Sequence, residues 1–263
     1  MKKTTVLQYA VFVAIMACVL APNAGATAAL RLYTGASCLT TNCIWYNLDT
    51  STGVATQEVG YLPATSGGTG GGVSAPGQLS INTVIGGWNV NVSTGLTKPT
   101  LGFANAPEMD IATTNSYGGS VTSTLTIQWA DVDFMFHPGF AEAASSGTTN
   151  HGNLTNITYS TYTDPGNALF GKANLMTSDS FPPYNFCTTQ GTCGFGVDSA
   201  GGLIGSAPYS LLEELVITAK GKIQTSGDYH VSIVPEPASV ALLGGVLLLT
   251  ASTIRRRAKR SVT

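Results

Sequence analysis

Hydrophobic positions recur at every second residue along much of the chain. From Val121 to Trp129, Val121, Ser123, Leu125, Ile127 and Trp129 fall on one side. Thr122, Thr124, Thr126 and Gln128 fall on the other, which is the pattern of a strand with one buried face. Beyond Trp129 the apolar parity slips to Val132, Phe134 and Phe136, predicting a bulge near Ala130-Asp131. Trp88, Val90 and Val92 alternate with Asn89, Asn91 and Ser93, and Tyr229, Val231 and Ile233 alternate with His230 and Ser232. Further strands are predicted over Leu30 to Thr34, Cys43 to Leu48, Gly53 to Leu62, Leu79 to Val84 and Leu154 to Tyr162. Leu211 to Lys220 mixes two periods. Leu-Leu-Glu-Glu-Leu has helical spacing, but the following Val-Ile-Thr favours a strand, and the strand is the preferred assignment. The glycine run from Ser66 to Gly72 and the polar stretch from Ala141 to Asn153 read as loops. Many short strands joined by Gly, Asn, Ser and Thr predict an all-β chain, an antiparallel β-sandwich occupying residues 27–233 as one domain.

Both ends break this period. Lys2 and Lys3 precede an apolar run from Val11 to Pro22, and Ala24-Gly25-Ala26 places small residues at the −3 and −1 positions of a cleavage point. Residues 1–26 therefore read as a secretory signal peptide, cut after Ala26, with Ala26-Thr27-Ala28 offering a second cut nearby. At the other end, Val234-Pro235-Glu236-Pro237 is followed by 17 uncharged residues, Ala238 to Ile254, and then by Arg255, Arg256, Arg257, Lys259 and Arg260. As a helix those 17 residues would cover roughly 25 Å, enough for a thin or untilted membrane crossing. The basic cluster would stay cytoplasmic and leave the body outside. Pro235 and Pro237 hold the chain extended ahead of the span, as a processing enzyme requires.

Pro-Glu-Pro, a short apolar span and an arginine-rich stop together resemble the PEP-CTERM sorting signal, over residues 234–260. The resemblance implies processing near Pro235 to Pro237 by an exosortase-type membrane protease, after export through the Sec translocon and signal peptidase. It further implies a Gram-negative, exopolysaccharide-producing bacterium, with transient anchoring in the inner membrane and delivery to the cell surface or extracellular matrix. A permanent single-pass anchor would give the same topology. A second resemblance lies in the body. Gly87-Trp88-Asn89-Val90-Asn91-Val92-Ser93-Thr94-Gly95, Lys98-Pro99, Pro107-Glu108-Met109-Asp110, Leu125-Thr126-Ile127 and Asp133-Phe134 are similar to a β-rich domain of other PEP-CTERM proteins. It implies the fold and lends no activity.

Charged residues make up 10% of the chain, against roughly 25% in an average soluble domain. Ser and Thr together number 57 and Gly 31, so hydroxyls and bare backbone build the surface. Residues 27–234 hold five bases and thirteen acids, a net −8, although the whole chain is −2. A body of that sign repels nucleic acid and anionic membrane and suits a hydrated polysaccharide environment. Cys18 lies in the signal peptide, leaving Cys38, Cys43, Cys187 and Cys193. An even number in an exported chain argues for disulfides, and the C-x4-C and C-x5-C spacings make two local loops the simplest of three connectivities.

Convergent chemistry is sparse. His137, His151 and His230 form no zinc pattern, no Gly-x-Ser-x-Gly elbow occurs, and the glycine run fits neither phosphate-binding motif. No catalytic residue, metal ligand or cofactor is assigned. Asp131 and Asp133, with Asp110 or Glu108, could supply oxygens to calcium, but two solvated acids on a polar face is the simpler reading. Trp88 and Trp129 belong to apolar faces. Trp45 with Tyr46, Tyr61, Tyr117, and the group Phe181, Tyr184 and Phe186 could stack on sugar rings if exposed; otherwise they cover the sandwich edge. The expected function is that of an exported, non-enzymatic cell-surface or matrix protein, structural within an exopolysaccharide or biofilm. A carbohydrate-binding module or adhesin is the alternative, and a secreted hydrolase ranks below both.

Overall fold

The computed structural model describes residues 27–62, 74–135, 139–150, 153–182, 192–203, 207–235 and 250. Among the described residues, fourteen strands form two seven-stranded antiparallel sheets. Sheet I runs in the order β11 (Asn174–Phe181), β10 (Leu154–Asp164), β13 (Tyr209–Lys220), β8 (Thr122–Phe134), β1 (Thr27–Thr34), β2 (Cys43–Asp49) and β3 (Val54–Gln57). Sheet II runs β12 (Thr192–Leu203), β9 (Gly139–Asn150), β14 (Ile223–Pro235), β7 (Glu108–Tyr117), β6 (Trp88–Leu96), β5 (Gln78–Ile85) and β4 (Ser74–Ala75). Their apolar faces meet in one core, so the predicted β-sandwich is the fold.

Alternation places the core as the sequence predicts. Trp88, Val90 and Val92 point inward from sheet II, with Asn89, Asn91 and Ser93 exposed. Leu125, Ile127 and Trp129 answer from sheet I. The two tryptophans tie the sheets reciprocally. Trp88 Nε1 donates to Ser123 Oγ at 2.9 Å, and Trp129 Nε1 donates to the Leu96 carbonyl at 2.9 Å. Each indole thus buries its ring and still satisfies its one donor. Tyr159 of β10 meets Tyr229 of β14 across the interior, with ring centroids 5.1 Å apart.

Several expectations change. Ala141 to Asn153, expected as a loop, contributes the long strand β9. Gly139, Ala141, Ala143, Ser145 and Thr149 are its buried positions, and residues so small carry little hydrophobic signal. β11 and β12, rich in Ser, Gly and Asp, were not foreseen either. Leu211 to Lys220 is a strand, and its helix-like spacing arises because both faces are covered: Glu213 and Glu214 are buried along with the leucines. The expected polar face of β8 is also covered, since Thr126 and Gln128 are buried. The parity slip after Trp129 is a bulge, centred slightly later than predicted. Tyr209 pairs Phe134 and Leu211 pairs Asp131, so β8 carries one extra residue there, and Asp133 has φ 61°. Of Gly53 to Leu62, only Val54–Gln57 is strand.

Val234 and Pro235 close β14 and pair with Phe140 and Gly139 of β9. The backbone entering the predicted sorting motif is therefore laddered as far as Pro235. The signal peptide with Ala24 and Ala26, the 66–72 run, Glu236, Pro237, the span 238–254 apart from Thr250, and the basic tail lie outside the described residues. Among the described residues no helix is long and apolar enough to cross a membrane.

Candidate functional site

The outward face of sheet I is built around one rung of cross-strand neighbours. Trp45, Arg31, Gln128, Glu214, Ser160 and Ser178 stand opposite one another on β2, β1, β8, β13, β10 and β11. Their side chains link along the rung. Arg31 Nε donates to Gln128 Oε1 at 2.7 Å, Gln128 Nε2 donates to Glu214 Oε2, and the Lys172 ammonium pairs with the same carboxylate. The Arg31 guanidinium lies 4.0 Å from the Phe170 ring centroid and 5.5 Å from that of Trp45. Phe170, from the segment between β10 and β11, packs on Ala29, Ala130 and Leu212 and covers the middle of the face. This cover explains why the outward Gln128 of β8 and Glu214 of β13 are buried.

The flank formed by β2, β3 and the start of β1 at Thr27 stays accessible. On β2, Ile44, Tyr46 and Leu48 point into the core, so Trp45, Asn47 and Asp49 face outward in a row of about 14 Å. Trp45 is half-buried against Tyr61, with ring centroids 5.3 Å apart and planes inclined by 51°. It also meets Phe170 edge-on at 5.2 Å. Trp45 Nε1 donates to Asn47 Oδ1 at 2.8 Å, and Asn47 Nδ2 donates to Glu58 Oε2 at 2.6 Å. Asn47 also lines a groove of about 530 Å³ with Thr27, Asp49, Ser51, Thr52, Val54 and Thr56. Asp49 Oδ1 accepts from Ser51 Oγ at 2.6 Å and from the Ser51 and Thr52 amides at 2.9 and 3.2 Å. Those hydrogen bonds, led by the Ser51 hydroxyl, bring its pKa down to about 2, so it is ionised at any ordinary pH. The flank thus offers aromatic surface continuous with hydroxyl, amide and carboxylate groups. That combination suits a ligand with apolar ring faces and many hydroxyls.

The outward face of sheet II is different in kind. Glu142, Asp198, Ser199, Ala200, His230 and Ser232 line a shallow groove of about 530 Å³ that has no Trp, Tyr or Phe in its lining. His230 is half-buried there, on the outward side of β14 as alternation predicts. Asp110 pairs with His230 across the ladder, and burial followed by the neighbouring Asp228 raises its pKa to about 7.

The remaining sequence-predicted residues are dispersed. Asp131 is not a solvated acid: it is wholly buried, with Lys98 Nζ 3.0 Å from its Oδ2. Asp133 exchanges hydrogen bonds with Asn167, and Asp110 lies beside Asp228, so the four acids considered for calcium do not converge. Among the described residues no group of three or more His, Cys, Asp or Glu could hold a metal ion. Tyr46 and Tyr117 are buried, the latter stacked on Trp88 at 4.9 Å. Phe181 is buried against Phe195 at 4.9 Å, so its ring belongs to the core and is not offered to a sugar. Tyr184, Phe186, His137 and His151 lie outside the described residues. Cys38 and Cys43 form the first local disulfide. Cys193 is disulfide-bonded as well, and Cys187 lies outside the described residues. Sequence reasoning missed Asn47, Glu58, Arg31 and Phe170. The parity of Ile44, Tyr46 and Leu48 would have placed Asn47 and Asp49 beside Trp45.

No protein-family model matches the chain, and no curated protein does. Among solved structures, a carbohydrate-binding module, TmCBM61, in complex with β-1,4-galactotriose is similar at 9% identity and a TM-score of 0.27, covering 56% of this chain and 88% of its own. The mannan-recognising module TmCBM27 is similar at 10% identity and a TM-score of 0.29, covering 52% and 82%. An adhesin domain of the Lys-gingipain of Porphyromonas gingivalis is similar at 10% and 0.29, covering 60% and 98%. At such TM-scores the ligands named for those proteins remain theirs.

Proposed function

We propose that the protein is an exported, non-catalytic module that holds polysaccharide on the β1–β2–β3 flank of sheet I. The observation that carries this reading is the Trp45–Tyr61 pair joined through Asn47 to a groove lined by hydroxyls and the Asp49 carboxylate. Trp45 and Tyr61 supply faces for sugar rings, while Asn47, Glu58, Asp49 and Thr56 exchange hydrogen bonds with hydroxyls. Nothing in this arrangement needs a bond to be broken, so the chemistry is retention. The delivery route proposed is the one that the chain ends imply: signal-peptide export, then PEP-CTERM sorting by an exosortase-type protease, leaving the body at the cell surface or in the matrix. There, glycan binding would make it a matrix component or adhesin.

A soluble polysaccharide panel run against purified protein tests the reading. At least one neutral glycan is expected to bind wild type, with Trp45→Ala and Tyr61→Ala each weakening it by tenfold or more while circular dichroism stays unchanged. Binding that both variants retain in full would remove the site.

A further inference from the structure

Lys98 and Asp131 form the most deeply buried opposite-charge pair among the described residues. Lys98 follows β6 of sheet II, and Asp131 lies on β8 of sheet I, so the pair bridges the two layers. Asp131 is fully buried and Lys98 nearly so. The Lys98 Nζ lies 3.0 Å from Asp131 Oδ2 and 3.9 Å from the centroid of the Phe134 ring, and it donates to the Val132 carbonyl. Two further donors hold the carboxyl group: Thr97 Oγ1 donates to Oδ2 at 2.6 Å, and the Val132 amide donates to Oδ1 at 2.7 Å.

We infer that this pair is the site of an intramolecular isopeptide cross-link, in which the Lys98 amine condenses with the Asp131 side-chain carboxyl. The arrangement meets the requirements of amide formation one by one. The amine is held 3.0 Å from Oδ2, the oxygen that leaves, one bond away from the carbon it attacks. Water is excluded, and burial pushes the lysine pKa down and the aspartate pKa up, each pulled back in part by the other. Both shifts favour the neutral amine and the neutral acid, reached by transfer of one proton from Nζ to Oδ2.

Nζ then attacks Cγ, the C–N bond forms, and the carbonyl electron pair moves to Oδ1. The Val132 amide already points at Oδ1 and stabilises the charge that develops there. The second amine proton passes to Oδ2 through the Thr97 hydroxyl, the Cγ–Oδ2 bond breaks, and water leaves. One amide and one water are formed from one amine and one acid, and no other reactant is needed. The product fastens sheet I to sheet II by a covalent bond that reduction cannot open, in a chain whose described disulfide, Cys38–Cys43, closes only a short loop.

Peptide mass spectrometry of the reduced, denatured full chain tests this. A branched peptide joining the Lys98 and Asp131 segments is expected, lighter than its two parts by one water. Lys98→Met should restore the separate peptides, and Asp131→Asn should give the same branch with loss of ammonia in place of water. Thr97→Val should slow appearance of the branch during refolding, whereas an unchanged rate would remove the hydroxyl from the proposed step. Recovery of linear Lys98 and Asp131 peptides at full mass from folded wild type would overturn the inference, whatever the folding yield of the variants.

Discussion

The indole N–H of Trp45 donates to the side-chain oxygen of Asn47 at 2.8 Å, two residues further along the same outward row of β2. The hydrogen bond fixes the ring's orientation, and the Asn47 amide is spent in turn on Glu58. Asn47→Ala should therefore act on the ring as well as on the groove. The expected cost is about 1 kcal/mol of stability for each of the two hydrogen bonds that Asn47 makes. Glycan affinity should fall by more than the fivefold that one such bond represents, because both Trp45 and Glu58 lose their positioning partner. Thermal denaturation and titration of the same variant separate the two effects.

Trp129 reaches across the interior to the Leu96 carbonyl, so its loss opens a cavity and leaves a buried acceptor with one donor fewer. Trp129→Ala should destabilise by about 3–5 kcal/mol, as large-to-small core substitutions do. A urea unfolding midpoint that moves little would show that the two sheets are held together chiefly by other contacts.

The Cys38–Cys43 bridge closes a loop of a few residues, and short loops restrict the unfolded chain least. Replacing both cysteines by serine should cost about 2 kcal/mol and leave the fold intact. Near-ultraviolet circular dichroism together with a melting curve reads this.

One half-buried and one buried carboxyl, Asp110 and Glu213, give stability a recognisable dependence on pH. Asp110 is raised from 3.8 to about 7 by burial and by Asp228, and Glu213 is raised well above 4.5 chiefly by burial. Above the unfolded values the unfolded chain releases protons that the folded chain keeps. Stability contributed by these groups is therefore full below about pH 4 and declines as pH rises through 7. Asp110→Asn should flatten the slope between pH 3.8 and 7, and Glu213→Gln should raise the melting temperature most at the alkaline end. Tyr159, which donates to Glu213 Oε1 at 2.6 Å, keeps its acceptor in the glutamine variant. A melting temperature of wild type that rises with pH across this range would contradict the assignment.

The sandwich was legible wherever one face of a strand is bulky and the other polar, as along Trp88 to Ser93 and Tyr229 to Ile233. It was hidden where the buried face is built from Ala, Ser, Gly and Thr, as in β9, because such residues alternate in position without alternating in hydropathy. Glu214 of β13 and Gln128 of β8 were unreadable for another reason. What covers them is Phe170, contributed by a segment distant in sequence, and strand parity carries no trace of a lid laid over the outer face. For the candidate site, Trp45 and Tyr61 were identified as stacking candidates. Their meeting at 5.3 Å depends on the turn after β3, which no local pattern specifies.

The most direct measurement is a fluorescence titration of the purified protein with a soluble polysaccharide found to bind it. Of the three tryptophans, Trp88 and Trp129 are fully buried, so a change in emission reports on Trp45. A saturable shift in wild type that disappears in Trp45→Phe, with affinity reduced in parallel, is the predicted result. Undiminished binding by Trp45→Phe, or saturation of wild type with no change in emission, would contradict the placement of the glycan on this flank.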